Sequence, residues 1–261
     1  MIFFPILKPY KSRLFAVSTT RNGGVSEGNY SSMNLCGYVE DNSDSVMKNK
    51  QIFCDTYNID PERVIFPYQT HSDNIININS AFLQQPKELR QSNLRDIDAI
   101  VTNINNVCIG VSTADCVPVL FYDKEKQAIG AAHAGWRGTV KRITAKTINL
   151  MAKSFETNPE DIIAVIAPCI SKESYEVGDE LYGIFNEAGF PIDLLFLKNP
   201  DTGKYHLDLR AANKWLLTES GVLPDNIYIS DLCTFKNSDI VFSARKSGIK
   251  SGRMASCIML K

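Results

Sequence analysis

Four strand-like runs follow one another between residues 99 and 134, and this grouping constrains the fold more than any other feature of the sequence. They are Ala99–Thr102, Val107–Thr113, Val117–Tyr122 and Ala128–Ala134. Each run is rich in β-branched or small apolar residues and is bounded by turn residues. Because strands come in groups and do not alternate strictly with helices, the pattern favours an α/β or α+β fold with mixed sheets over a doubly wound parallel sheet.

The same criteria predict further elements outside this region. Six more strands are predicted at Leu14–Thr19, Arg63–Phe66, Asn74–Ile78, Ile162–Ala167, Ile227–Ile229 and Ser256–Leu260. Helices are predicted at Ser43–Tyr57, Thr139–Phe155, Val177–Ala188 and Leu209–Ser220. The polar segment from Gln84 to Arg95 is predicted to be a surface loop.

Composition narrows the class of protein. With 28 basic and 29 acidic residues in 261, the chain has no overall basic field, so nucleic acid is not expected as a partner. No apolar run approaches the roughly 20 residues of a membrane span, and the start MIFFPILKPYK has the reverse order of a signal peptide. Seven cysteines without a CxxC pair argue against a disulfide framework. A soluble, cytoplasmic protein without a membrane partner is expected.

The run Ala128–Ala134, AIGAAHA, leads to the first candidate site residue. Alternation places Ile129, Ala131 and His133 on one face, and leaves only alanine and glycine on the other, where another element can approach closely. The turn Gly135-Trp136-Arg137-Gly138 follows, and then a predicted helix. Free N–H groups at a helix start attract anions, and Arg137 could add a bidentate phosphate contact. The turn matches neither a dinucleotide fingerprint nor a P-loop.

Two other segments supply candidate ligands. Asp115 and Cys116 lie between two strand-like runs, next to Pro118, which cannot donate to a central ladder, so a break or bulge is expected there. His71 lies in a polar turn between two further strands. Two histidines and a cysteine suit a catalytic zinc with three protein ligands and a water. Their spacing alone leaves the other interpretation open, in which His71 and His133 are hydrogen-bonded and Cys116 is simply buried.

Several blocks of the sequence together resemble one family, the purine nucleoside phosphorylase / laccase-domain proteins, also called YfiH-like or polyphenol oxidase. These blocks are Gln69-Thr70-His71, Thr113-Ala114-Asp115-Cys116, AHAGWRG at residues 132–138, and the tail with Phe242-Ser243-Ala244-Arg245 and Gly252-Arg253-Met254-Ala255. The AHAGWRG block is the most specific of them. The tail departs from the family's usual SYRRDG, since Ala244 and Lys246 stand within it, but Arg245 is retained.

The resemblance implies a single domain over residues 1–261 with a four-layer α/β/β/α arrangement. It implies zinc, more than copper, held by His71, Cys116 and His133. It also implies phosphorolysis of adenosine, inosine, guanosine and methylthioadenosine, together with deamination of adenosine. Nucleosides and phosphate are thus the expected partners, and a monomer or small homo-oligomer the expected assembly.

Four further residues are candidates for the chemistry of such a site. Arg137 could hold phosphate, and Asp115 could move a proton between a zinc-bound water and the purine. Arg21 and Arg245 are candidate substrate-binding residues. For Arg137 and Arg21 the alternative is an ordinary turn arginine, and for Asp115 a turn carboxylate that bonds its own backbone.

Three rival functions stay open on the sequence. One is a copper-dependent phenol oxidase, although two histidines and a cysteine are few ligands for a reaction that normally uses several coppers. Another is a hydrolase with Cys116 as nucleophile and His133 as base. The last is a non-catalytic protein with a structural zinc, which normally has four protein ligands.

Overall fold

The computed structural model describes residues 1–261. The strands are β1 (Leu14–Ser18), β2 (Val64–Ile65), β3 (Ile75–Asn77), β4 (Ala99–Thr102), β5 (Cys108–Thr113), β6 (Val117–Asp123), β7 (Ala128–Ala134), β8 (Ile162–Ile166), β9 (Glu176–Val177), β10 (Phe196–Lys198), β11 (Tyr205–Leu207), β12 (Ile227–Ile229) and β13 (Met254–Leu260). The helices are α1 (Ser43–Tyr57), α2 (Ser80–Leu83), α3 (Lys87–Asn93), α4 (Trp136–Val140), α5 (Ile143–Phe155), α6 (Asp179–Glu187), α7 (Ile192–Leu195), α8 (Leu209–Glu219) and α9 (Ala244–Ser247). None of these helices has both the length and the apolar character that crossing a bilayer requires.

Two mixed sheets form the centre of the molecule. The smaller has the strand order β1-β13-β5-β2, with β13 antiparallel to both neighbours and β2 parallel to β5. The larger has the order β12-β8-β6-β7-β4-β3, with parallel pairs at both edges and antiparallel pairs between them. All ten strands predicted from the sequence are present, which confirms the mixed-sheet fold class.

Packing on both faces of each sheet produces four layers. The two sheets share a buried apolar cluster that includes Ile109 of the smaller sheet and Ile129 of the larger. On the outer face of the smaller sheet, α1 contributes the fully buried Phe53. On the outer face of the larger sheet, α5 and α8 contribute Met151 and Leu216. The four-layer α/β/β/α arrangement is therefore confirmed.

The helix predicted from Thr139 to Phe155 is in fact two helices. Arg142, between α4 and α5, has φ 63°, a left-handed conformation that interrupts the helical path. Its guanidinium donates to the carbonyl of Ala188 at 3.1 Å and lies over the rings of Phe190 and Trp215. These contacts hold the residue at the bend, so tertiary packing sets the break.

The surface loop predicted from Gln84 to Arg95 is wrong, because this segment contains α3. Lysine, glutamate, leucine, arginine and glutamine are all good helix formers, and Pro86 stands directly before the first turn. No residue of α3 is buried. An exposed helix of this kind has the polar composition of a loop.

A third, small sheet was not predicted from the sequence. It has the order β10-β11-β9, all antiparallel, and its strands are two or three residues long. Strands this short show no periodicity that a sequence pattern can reveal. Its strand β9 begins at Glu176, directly after Tyr175.

Candidate metal centre

Strand β7 delivers His133 to one end of the larger sheet. As alternation predicts, Ile129 and Ala131 face the core between the sheets. The residues on the opposite face are small because α5 packs against them. A Cβ at Gly130 would stand 3.2 Å from Phe121 and 3.3 Å from the Met151 sulfur. His133 shares the inter-sheet face and is only 4% exposed. The imidazole is therefore held within the protein at the end of the strand.

Cys116 lies in the turn between β5 and β6. The break expected near Pro118 is present, but it lies before the proline and not at it, since β6 and β7 pair without interruption from Val117–Ala134 to Asp123–Ala128. The carbonyl of Pro118 accepts from the backbone N–H of Ala167, one residue after the end of β8. The N–H that proline lacks would therefore face a residue outside β8, and the sheet tolerates its absence. The irregular backbone is instead at Asp115, with φ 92°. This turn directs Cys116 to the same end of the sheet as His133.

His71 lies in a turn that wraps around one carboxylate. Its φ is 63°, and Asp98 accepts from the backbone N–H groups of Thr70 at 3.1 Å, His71 at 3.2 Å and Ser72 at 2.8 Å. The Ser72 hydroxyl also donates to Asp98, at 2.8 Å. Asp98 is fully buried, so these bonds fix the conformation of the turn that carries His71.

The same carboxylate fixes the second imidazole. His133 Nδ1 lies 2.6 Å from Asp98 Oδ1, so Nε2 is the nitrogen left free to bind another group. Burial by itself would raise the pKa of Asp98, but hydrogen bonds from His133, Ser72 and the Thr70 backbone lower it overall. Asp98 thus stays ionised and orients both histidines.

The three candidate ligands meet at one point. The donor atoms of His71, Cys116 and His133 lie within 4.8 Å of one another, and Cys116 Sγ is 3.8 Å from His71 Nε2. Gly135 leaves room for this meeting, because a Cβ there would stand 3.1 Å from both Cys116 Sγ and the His71 ring. Distant parts of the chain therefore form one compact donor set.

The donors influence one another electrostatically. Burial opposes ionisation of the Cys116 thiol, but the charge and hydrogen bond of His133 and the hydrogen bond of His71 lower its pKa to about 6. Burial also opposes protonation of His133, but Cys116 and Asp98 raise its pKa to about 9. These shifts favour a thiolate beside an imidazolium at neutral pH, and a divalent cation could take the place of the imidazolium proton.

The donor set fits a zinc ion. Zinc binds imidazole nitrogen at about 2.0–2.1 Å and thiolate sulfur at about 2.3 Å, which places neighbouring tetrahedral ligands roughly 3.3–3.6 Å apart. The 3.8 Å between Cys116 Sγ and His71 Nε2 needs a slight contraction, and the widest donor separation, up to 4.8 Å, needs a larger one. The carboxylate behind His133 is the partner that metal-bound histidines usually have. Three protein ligands would leave a fourth position open.

Asp115, next to Cys116, bonds neither its own turn nor the donor set. Its carboxylate accepts from the Thr234 hydroxyl at 2.5 Å and from the backbone N–H of Arg245 at 2.6 Å. The residue is 8% exposed. Both oxygens are engaged, so Asp115 joins the turn of Cys116 to the start of α9.

Two of the candidate arginines lie on aromatic rings near the site. Arg137 is exposed in α4, with its guanidinium 4.2 Å from the centre of the Trp136 ring. Arg245 lies 5.2 Å from the centre of the Tyr175 ring and donates to a backbone carbonyl in β9 at 3.0 Å. Burial, and next the charge of Cys116, raises the pKa of Tyr175 to about 12, while Arg245 and Arg137 oppose this shift. Tyr175 therefore lies within electrostatic reach of both arginines and of Cys116.

The third candidate arginine has a different environment. Arg21 donates to the carbonyls of Ser31 at 2.8 Å and Ser238 at 2.5 Å, and its guanidinium lies 5.0 Å from the centre of the Phe242 ring. These contacts join three loops. The structure therefore does not bring Arg21 into the group formed by His71, Cys116 and His133.

Sequence reasoning missed Asp98, the residue that orients both histidines. The available signal was a single acidic residue directly before the buried strand Ala99–Thr102. A charge at the edge of an apolar run is unusual unless it is paired or solvated. That signal marks a buried partner without revealing that the partner is His133, 35 positions away.

Comparison with known proteins places the chain in a family. The family described as "Multi-copper polyphenol oxidoreductase laccase" matches residues 15–261. A purine nucleoside phosphorylase of Bacteroides thetaiotaomicron is 42% identical over 260 residues, covering 100% of this chain and 96% of the relative. A protein named adenosine deaminase RL5, from an unknown prokaryotic organism, is 37% identical over 91% of this chain and 90% of its own length.

Solved structures agree with the match. The crystal structure of the Bacillus licheniformis hypothetical protein YfiH has a TM-score of 0.88 and 34% identity, and covers 95% of this chain and 93% of that one. Sequence and fold thus match over nearly the whole length. Several relatives of the chain carry the name purine nucleoside phosphorylase, and the chain itself belongs to the multi-copper polyphenol oxidoreductase laccase family.

Proposed function

We propose that the protein is a zinc-dependent purine nucleoside phosphorylase that also deaminates adenosine. The observation that carries the proposal is the convergence of His71, Cys116 and His133 within 4.8 Å. The names of the relatives support nucleosides as substrates. Adenosine, inosine, guanosine and methylthioadenosine are the proposed nucleosides, converted in the cytoplasm by a monomer or small homo-oligomer.

The chain's own residues divide the work. A bound zinc would supply a Lewis acid and an acidified water. Asp98 holds His133 and the His71 turn in the orientation that ligation requires. Arg137 and Arg245 are proposed to hold phosphate, because a guanidinium pairs with phosphate oxygens in a bidentate manner.

The roles of Asp115 and Arg21 follow from their contacts. We propose that Asp115 positions α9, and thereby Arg245, since both of its carboxylate oxygens already accept hydrogen bonds. The proton-transfer role expected from the sequence stays a proposal beside it, because each carboxylate oxygen keeps a second lone pair. Arg21 is proposed to hold the loops around Ser31 and Ser238 together and so to support the site indirectly.

A hydrolase that uses Cys116 as nucleophile is a second candidate, favoured by the low pKa of its thiol. A lowered thiol pKa beside a histidine is typical of nucleophilic cysteines. A covalent adduct on Cys116 that forms and decays during turnover would support it. Full protection of Cys116 from alkylation by one equivalent of zinc would favour the phosphorylase.

The test of the proposed function is incubation with inosine and with adenosine, with and without phosphate, followed by identification of the products. We expect hypoxanthine and ribose 1-phosphate from inosine only when phosphate is present, and inosine from adenosine without it. Metal analysis should give about one zinc per chain and no copper. Cys116→Ala should lose both zinc and turnover, and wild-type turnover in this variant would overturn the proposal.

A further inference from the structure

A cavity of about 410 Å³ lies away from the candidate metal centre, between α1, β2 and α3. None of the three candidate metal ligands lines it. Its apolar wall includes Leu35, Val64, Ile65, Phe66, Phe82 and Leu94. This volume lies in the range of small-molecule sites in proteins.

The charged residues of this cavity do not balance. They are Lys50, Glu62, Lys87 and Arg90. Glu62 is shared by two of the cations, at 3.6 Å from Lys87 Nζ and 3.6 Å from Arg90. Lys50 has no carboxylate partner within ion-pair distance. The cavity therefore carries an excess of two positive charges next to an apolar wall.

Two of the cations also have unused hydrogen-bond donors. The Lys50 ammonium donates to the Val64 carbonyl at 3.3 Å, and an ammonium has three donors. Arg90 Nε is buried and has no hydrogen-bond partner. Burial lowers the pKa of Lys50; the charges of Cys54 and Glu62 oppose this shift, and that of Lys87 reinforces it. An anion in the cavity would accept from the free donors of Lys50 and relieve the repulsion between the cations.

We propose that this cavity is a binding site for a phosphomonoester with an apolar or aromatic body. The phosphate would contact Lys50 and Arg90, whose guanidinium can bind two phosphate oxygens. The body would lie on the apolar wall that contains Phe66 and Phe82. The site is independent of the proposed nucleoside chemistry, because the two share no residue.

The test uses phenyl phosphate as probe, with the full chain and isothermal titration calorimetry. Lys50→Met and Arg90→Gln should each weaken its binding at least about tenfold, the equivalent of one lost charge-assisted hydrogen bond. Lys48→Met is the matched control, since Lys48 is exposed on the same helix and does not line the cavity. It should change the dissociation constant less than about twofold. Phenol should bind more weakly than phenyl phosphate.

Two outcomes would overturn the proposal. One is the absence of saturable binding to the wild type up to about 10 mM probe. The other is the same affinity in Lys50→Met as in Lys48→Met, which would place the probe elsewhere, for instance at the metal centre. Thermal unfolding of each variant verifies that it is folded. Neither outcome depends on turnover of nucleosides, so this experiment does not test the proposed function, which has its own test.

Discussion

Asp98 is the residue on which the geometry of the donor set depends, because it bonds His133 and the His71 turn at once. We expect Asp98→Asn to weaken zinc binding about 10- to 100-fold, as loss of such supporting partners usually does. A chelator competition titration measures this directly. Asp225→Asn is the control, since Asp225 is exposed and bonds neither histidine nor the His71 turn. Equal affinities in the two variants would contradict the assignment.

Cys116 provides a pH-dependent prediction. Only the thiolate reacts with iodoacetamide, and a pKa of about 6 keeps Cys116 ionised at pH 7. In metal-free protein, alkylation should therefore be fast at pH 7 and slow down as the pH falls through about 6. Mass spectrometry of the modified peptide over a pH series measures the rate. A rate that rises only near the ordinary thiol value, 9.0, would show that the imidazoles do not stabilise the thiolate.

At the scale of residues, only part of the site could be predicted from the sequence. Residue chemistry made His71, Cys116 and His133 one possible ligand set, and the family resemblance was needed to prefer it to hydrogen-bonded histidines and a buried cysteine. It was not enough to find Asp98 or the engagement of Asp115 with Thr234. Those are contacts across long sequence separations, and their partners have no distinguishing local pattern.

At the scale of elements, long strands could be predicted because their composition and alternation reflect burial in the sheets. The break at Arg142 could not, because its cause is contact with Phe190 and Trp215, far along the chain. Helix α3 was missed for the opposite reason. None of its residues is fully buried, so its sequence lacks the apolar stripe by which surface helices are recognised.

The link between the Cys116 turn and α9 also belongs to this scale. We expect Thr234→Val to speed amide hydrogen exchange in residues 244–248 and to lower the free energy of unfolding by about 1 kcal/mol, because Asp115 loses one donor. Hydrogen exchange with mass spectrometry checks the local effect. Thr218→Val, on an exposed part of α8, should leave residues 244–248 unchanged. Similar exchange rates of residues 244–248 in both variants would contradict the proposal that Asp115 anchors α9.

For the whole molecule, the shared inter-sheet cluster predicts a single cooperative unit. It joins strands from Leu14 to Leu260, so neither sheet keeps its core without the other. Urea unfolding should give one transition, with coincident curves from far-ultraviolet circular dichroism and from fluorescence of Trp136 and Trp215. Two separated transitions would show instead that residues 1–261 form more than one domain.

The position of β13 has a consequence for synthesis. This strand lies between β1 and β5, yet it is translated after both of them. Until residues 254–260 leave the ribosome, β1 and β5 have no strand between them, and their unpaired edges can pair with other nascent chains. The smaller sheet can therefore form only after β13 has been translated. A chaperone would protect the chain most during the time before this pairing.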